Sequence, residues 1–111
     1  MTPISTKFQS LKELSYRYER MPNQIRVSHI LVRTKPEADE IIQDLAHGES
    51  FQKLAEIHSM CPSRKKGGDL GTFGRGQMVR EFEKAAFALE KNQTSESIKT
   101  EFGWHVIRRT G

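Results

Sequence analysis

A single cysteine among 111 residues, Cys61, excludes an internal disulfide and cannot supply the thiolate pairs of a zinc ribbon or a Cys-x-x-Cys redox centre. Stability must therefore come from packing. Long apolar runs are missing as well: no window approaches the ~18 residues of a membrane span, and the opening MTPISTKFQSLKELSYRYER has nothing like the apolar stretch of a signal peptide. A soluble chain without a membrane partner is expected, cytoplasmic unless it is a fragment of a larger exported protein whose leader would be missing. Charge of one sign is in only slight excess, 18 Lys and Arg against 14 Asp and Glu, for a net +4. So small a surplus is common in soluble domains, and nucleic acid is not expected as a partner. With 35% hydrophobic residues, the chain has apolar mass for one modest core.

Periodicity supplies the elements. Phe8, Leu11, Leu14, Tyr18 and Met21 fall on one face of a helix over residues 6 to 21, ended by Pro22. Residues 1–24 are thus an N-terminal helical extension or linker, and residues 25–111 form the domain. IRVSHILVR, residues 25 to 33, is β-branched and reads as a strand. Thr34 and Glu37 have capping-box spacing for a helix from Lys35 to Gly48, with Ile41, Ile42 and Leu45 on its buried face. SFQKLAEIHS gives a second helix with Phe51, Leu54, Ala55 and His58 along one side. A short strand follows at DLGTFG, then a helix at VREFEKAAFAL presenting Val79, Phe82, Ala86 and Leu89 inward. SESIKTEF and WHVIRRT flank Gly103 as a closing hairpin. Strands interleaved irregularly with helices indicate an α+β domain with a mainly antiparallel sheet.

The stretch CPSRKKGGDLGTFGRGQM, residues 61 to 78, concentrates five glycines with the cysteine. A phosphate cradle would need Gly-Lys-Ser/Thr or Gly-x-Gly-x-x-Gly, and Gly67, Gly68, Gly71, Gly74 and Gly76 fit neither. The glycines better suit positive φ angles and close backbone approach around a short strand. A thiol nucleophile would need a base beside Cys61, for which His29, His58 and His105 are candidates besides His47. Its oxyanion site and orienting group cannot be read from the pattern. By residue pattern alone, His29 and His105 read equally as core histidines, and Met78 and Phe82 read as core.

Taken together, VSHILVR, SMCPSRKKGGDLGTFGRGQMVREFEKAAFAL and TEFGWHVIRRT resemble the parvulin family of peptidyl-prolyl cis-trans isomerases, over roughly residues 26 to 110. That resemblance implies a parvulin-like domain of the FKBP-like superfold, a four-stranded antiparallel sheet surrounded by about four helices. It places His29 and His105 at the family's two active-site histidines and Cys61 at a position filled by cysteine or aspartate. Interchange of thiol and carboxylate implies a non-covalent role for Cys61. Thr100 matches a hydroxyl of the histidine network, and Leu70, Met78 and Phe82 match the proline pocket, with Phe102 completing its apolar wall. Ser63 falls near the substrate path, and Trp104 is assigned to packing.

The implied activity is rotation about Xaa-Pro bonds in proline-containing, unfolded or flexible polypeptides, by non-covalent stabilisation of the twisted amide. No metal and no cofactor are expected, and the expected state is a monomer. Arg33 and Thr34 lead straight into a helix, without the long basic loop of phosphate-directed parvulins, so phosphorylation is not expected to be required. The alternative is a holding chaperone or peptide-binding module that uses the same groove with little turnover.

Overall fold

The computed structural model describes residues 23–111, so the helix expected over residues 6 to 21 lies outside the described residues. In chain order the elements are β1 (Gln24–Val32), α1 (Lys35–Ala46), α2 (Phe51–His58), a 3-10 turn (Pro62–Lys66), β2 (Asp69–Gly74), α3 (Arg80–Ala88), β3 (Ile98–Thr100) and β4 (Gly103–Arg109). The four strands form one antiparallel sheet in the order β2-β1-β4-β3, so the fold is α+β. Among the described residues, three α-helices and the 3-10 turn accompany the sheet.

Helix starts follow the local chemistry. Thr34 Oγ1 accepts the Glu37 N–H at 3.4 Å and donates to Glu37 Oε1 at 2.9 Å, and Pro sits in the first turn of α1, where its missing N–H costs nothing. Ser50 caps α2 by accepting the Lys53 N–H at 3.3 Å. On α2, Phe51, Leu54 and Ala55 are buried as expected, whereas His58 is exposed. It ends the helix, where an imidazole faces water more cheaply than core.

Alternation along β1 splits the interior in two. Ile25 and Val27 face α3 and join Phe73, Phe82, Ala86, Phe87, Leu89 and Ile107. Ile30 and Val32 face the other way and join Ala38, Ile41, Phe51, Leu54, Ala55 and Val106 under α1 and α2. Trp104 packs at the margin of this second cluster. Each fully buried aliphatic side chain here removes enough apolar surface from water to stabilise the fold by roughly 1.5–3 kcal/mol. Both clusters thus pack against the central strands, β1 and β4.

β2 accompanies only the first half of β1. Val27 pairs with Gly71 but Ser28 pairs with Asp69, which leaves Leu70 as the extra residue of a β-bulge. The Asp69 carboxylate holds this kink, accepting the Gly71 N–H at 3.0 Å and an Arg26 N–H at 2.6 Å. Beyond the bulge, the segment from Ser59 to Gly68 takes over: Gly68 accepts the His29 N–H at 2.9 Å, and the Met60 N–H donates to Leu31 at 2.8 Å. Finally, the Thr110 N–H donates to the Arg26 carbonyl at 2.8 Å, and the Arg26 N–H to the Gly111 carbonyl at 3.2 Å.

Candidate active site

His29 on β1 and His105 on β4 are diagonal neighbours across the strand pair: His29 lies opposite Ile107, and His105 opposite Leu31. Both rings project to the α3 side and meet Nδ1 to Nδ1 at 3.0 Å, with ring planes 22° apart. Phe82 of α3 stands edge-on to both, its centroid 5.6 Å from His29 and 5.2 Å from His105. Burial lowers the pKa of each histidine to about 4, with the neighbouring imidazole a second cause for His29. Both rings are therefore neutral at neutral pH.

Neutral rings leave two sets of proton positions. Thr100 Oγ1 lies 2.7 Å from His105 Nε2 and accepts the Phe102 N–H at 3.2 Å. If the Thr100 hydroxyl donates to His105 Nε2, the His105 proton sits on Nδ1 and donates to His29 Nδ1, and His29 carries its proton on Nε2. The opposite set, in which His105 Nε2–H donates to Thr100 Oγ1 and His29 Nδ1–H donates to His105 Nδ1, leaves the threonine proton without an acceptor, where the first leaves the His29 Nε2 proton without one. In either set the buried His29 Nε2 has no protein partner among the described residues.

Above the pair opens a cavity of about 320 Å³ lined by His29, Leu70, Gln77, Met78, Val79, Phe82, Phe102 and His105. Six of the eight expected site residues line it: the two histidines, Leu70, Met78, Phe82 and Phe102. Thr100 is buried behind His105 and reaches the cavity only through the ring. The bulge delivers Leu70, α3 delivers Phe82, and the β3–β4 turn holds Phe102 with 60% of its surface exposed.

Cys61, like Thr100, is not among the residues lining the cavity. It is half-buried before the 3-10 turn, its N–H donating to Ser59 Oγ at 3.3 Å. Ser59 also accepts the Leu31 N–H at 3.1 Å, tying the Cys61 segment to β1. Gln77 and Val79 line the cavity but were not among the expected site residues. Both flank Met78 in GRGQMVREF, and that adjacency was the available signal.

What this arrangement offers is an apolar, concave seat the size of a small ring, floored by two uncharged imidazoles. It contains no nucleophile-base pair, and among the described residues no cluster of His, Cys, Asp and Glu could hold a metal ion.

Residues 29–111 match the family model described as Rotamase, PPIC-type PPIASE domain. The foldase protein PrsA of Geobacillus sp. is 48% identical over 100 residues, covering 89% of this chain and 36% of the foldase. The chain therefore spans about a third of the length of the curated foldase relatives it matches. The solution structure of NmPin, the parvulin of Nitrosopumilus maritimus, is 49% identical with a TM-score of 0.75, over 81% of this chain and 98% of that one. A structure reported for two SurA-like chaperones of Campylobacter jejuni, the virulence factor PEB4 and the periplasmic protein Cj1289, is 34% identical with a TM-score of 0.77, over 91% of this chain and 45% of that one.

Proposed function

The chain belongs to the PPIC-type rotamase family of peptidyl-prolyl isomerases, the parvulins, and from that membership we propose that it accelerates cis-trans isomerisation of Xaa-Pro bonds in unfolded or flexible polypeptides. One observation carries the reading: Phe82 stands edge-on to a neutral His29–His105 pair at the floor of an otherwise apolar cavity.

Amide resonance raises a rotational barrier of about 20 kcal/mol and leaves isomerisation taking tens to hundreds of seconds. At the twisted transition state the resonance is lost, the nitrogen becomes pyramidal and the carbonyl oxygen carries less negative charge. Surroundings poor in hydrogen-bond donors favour that state over the planar one. Leu70, Met78, Phe82 and Phe102 supply such surroundings around the proline ring. The two histidines, held neutral by burial, close the floor without placing a charge beneath it. Thr100 acts as a positioning residue, fixing the His105 ring through Nε2. Catalysis is differential binding of a twisted form, with no bond broken.

The test is NMR exchange between cis and trans isomers of an unphosphorylated peptide with a hydrophobic residue before proline. Catalytic amounts of protein should accelerate exchange, and Phe82→Ala should abolish the effect. Because Phe82 is also core, Met78→Ala, at a half-buried position, serves as the second variant. Wild-type turnover in both variants would remove the proposed seat.

Phosphorylation is not required in this reading. Only Arg33 and Thr34 separate β1 from α1, and Lys35 is already paired with Asp39 at 2.8 Å. Equal or slower exchange in a phosphoserine-proline peptide is the expected outcome.

The cytoplasmic expectation is withdrawn, since it rested on a missing leader and the chain spans only part of its relatives. The exported alternative has the support of a likeness to a structure reported with a periplasmic protein. A holding-chaperone role is the second reading, favoured by the exposure of Phe102 beside the cavity and by the same SurA-like relatives. Suppression of aggregation by a variant without isomerase turnover would move it to first place.

A further inference from the structure

Among the described residues, Gln77 is the one cavity-lining side chain that is neither apolar nor part of the histidine network. Its Oε1 accepts the Gly74 N–H at 2.7 Å, a bond that can form in only one orientation of the amide. With the oxygen committed to the loop backbone, the amide nitrogen and its two hydrogens are left as donors. The β2–α3 loop that carries it is itself held: Gly76 N–H donates to Glu83 of α3, and the Arg75 guanidinium lies 4.2 Å over the Phe87 ring. The donor is thus built into the rim of the seat, next in sequence to Met78.

Where that donor acts follows from the reaction. A donor on the rotating carbonyl, the one before proline, would stabilise the planar ground state, whose oxygen carries more negative charge, and would slow rotation. The carbonyl of proline itself does not move relative to the ring during isomerisation. A donor there holds the ring side of the chain still while the preceding residue turns. We propose that the Gln77 side-chain amide donates to the prolyl carbonyl of the bound chain and anchors the non-rotating side of the bond. This rests on the reading of the cavity as a proline seat.

The anchor would bind planar and twisted forms alike, so its loss should raise KM and leave kcat nearly unchanged. One neutral hydrogen bond is worth roughly tenfold in affinity. Two small probes isolate it: an acetyl-phenylalanyl-proline methylamide, which has the prolyl carbonyl, and the matching acetyl-phenylalanyl pyrrolidide, which lacks it. Wild-type protein should bind the first about tenfold more tightly, measured by titrating groove resonances, and the Gln77 side-chain NH2 pair should shift only with the first. Gln77→Met should abolish that preference.

Should Gln77→Met disturb the loop, Gln77→Glu keeps an acceptor for the Gly74 N–H while removing the donors, and it should lose the preference too. A preference retained in both variants, or a Gln77 NH2 pair that stays still in wild type, overturns the proposal. Because binding of the probes needs no turnover, a wild-type protein that discriminates between them yet fails to accelerate exchange would sink the isomerase reading and leave the anchor standing.

Discussion

His29 and His105 share one hydrogen bond between like atoms, Nδ1 to Nδ1 at 3.0 Å, so only one of the two can carry a proton there. The direction of the Thr100–His105 bond decides which: a hydroxyl that donates to His105 Nε2 leaves His105 only Nδ1 for its own proton, and one that accepts from Nε2–H puts the shared proton on His29. In nitrogen-15 spectra the two rings should appear as opposite tautomers, one Nδ1–H and one Nε2–H, with one set dominant. Thr100→Val should remove the preference and strand the Phe102 N–H, at a stability cost of about 1–3 kcal/mol. An unchanged tautomer pattern in that variant would show that threonine does not set it.

Acid should destabilise the fold above the range where carboxylates titrate. Both histidines have folded values of about 4 against 6.5 in the free side chain, so as pH falls the unfolded chain takes up protons first. Their contribution to stability is complete above about pH 6.5, falls between there and about pH 4, and then levels off. Each histidine contributes a slope approaching about 1.4 kcal/mol per pH unit inside that window. Urea midpoints between pH 7 and pH 5 measure it, and His29→Gln should roughly halve the slope. A midpoint constant over that span would mean that the rings are not held neutral.

Cys61 offers a test of covalent chemistry. It lies outside the cavity wall, so Cys61→Ser and Cys61→Ala should keep turnover within about threefold of wild type, mainly through small shifts of the segment beside β1. Loss of two or more orders of magnitude in both variants would demand a direct role for the thiol.

Gly68 holds the backbone of His29. At φ +88° it sits in a region that favours glycine, and a Cβ there would run into the His29 carbonyl. Gly68→Ala should cost on the order of 2–3 kcal/mol and move the His29 amide resonance, because the His29 N–H bonds to the Gly68 carbonyl. A melt unchanged from wild type would mean that the loop absorbs the methyl group without disturbing β1.

Periodicity carried much of the fold. β-branched IRVSHILVR defined the central strand to within one residue at each end, and the Thr34–Glu37 pair marked the start of α1. His58 shares one side of its helix with Phe51, Leu54 and Ala55 yet is exposed, because helical spacing says which face a residue is on, but not where the neighbouring layer stops. For the site, spacing alone left His29 evenly between core and site and read Met78 and Phe82 as core, which Phe82 also is; only the three sequence blocks read together pointed to lining. The bulge at Leu70 stayed invisible because it depends on how two strands far apart in sequence slip past each other. Gln77 was missed for a similar reason: its amide is oriented by a bond from the Gly74 N–H that no sequence pattern announces.

The pairing of Arg26 with Thr110 and Gly111 sets how the domain responds to force. β1 begins where β4 ends, so tension applied through the two flanking directions loads the Arg26 pairing first, then the Val27–Arg109 rung, and the rungs at His29 and Leu31 later. Strands pulled this way part like a zipper, one rung at a time, where strands pulled from opposite ends would resist in shear with all rungs sharing the load. A domain built so yields at its entrance while His29 and His105, two and four rungs further in than Val27, are still seated.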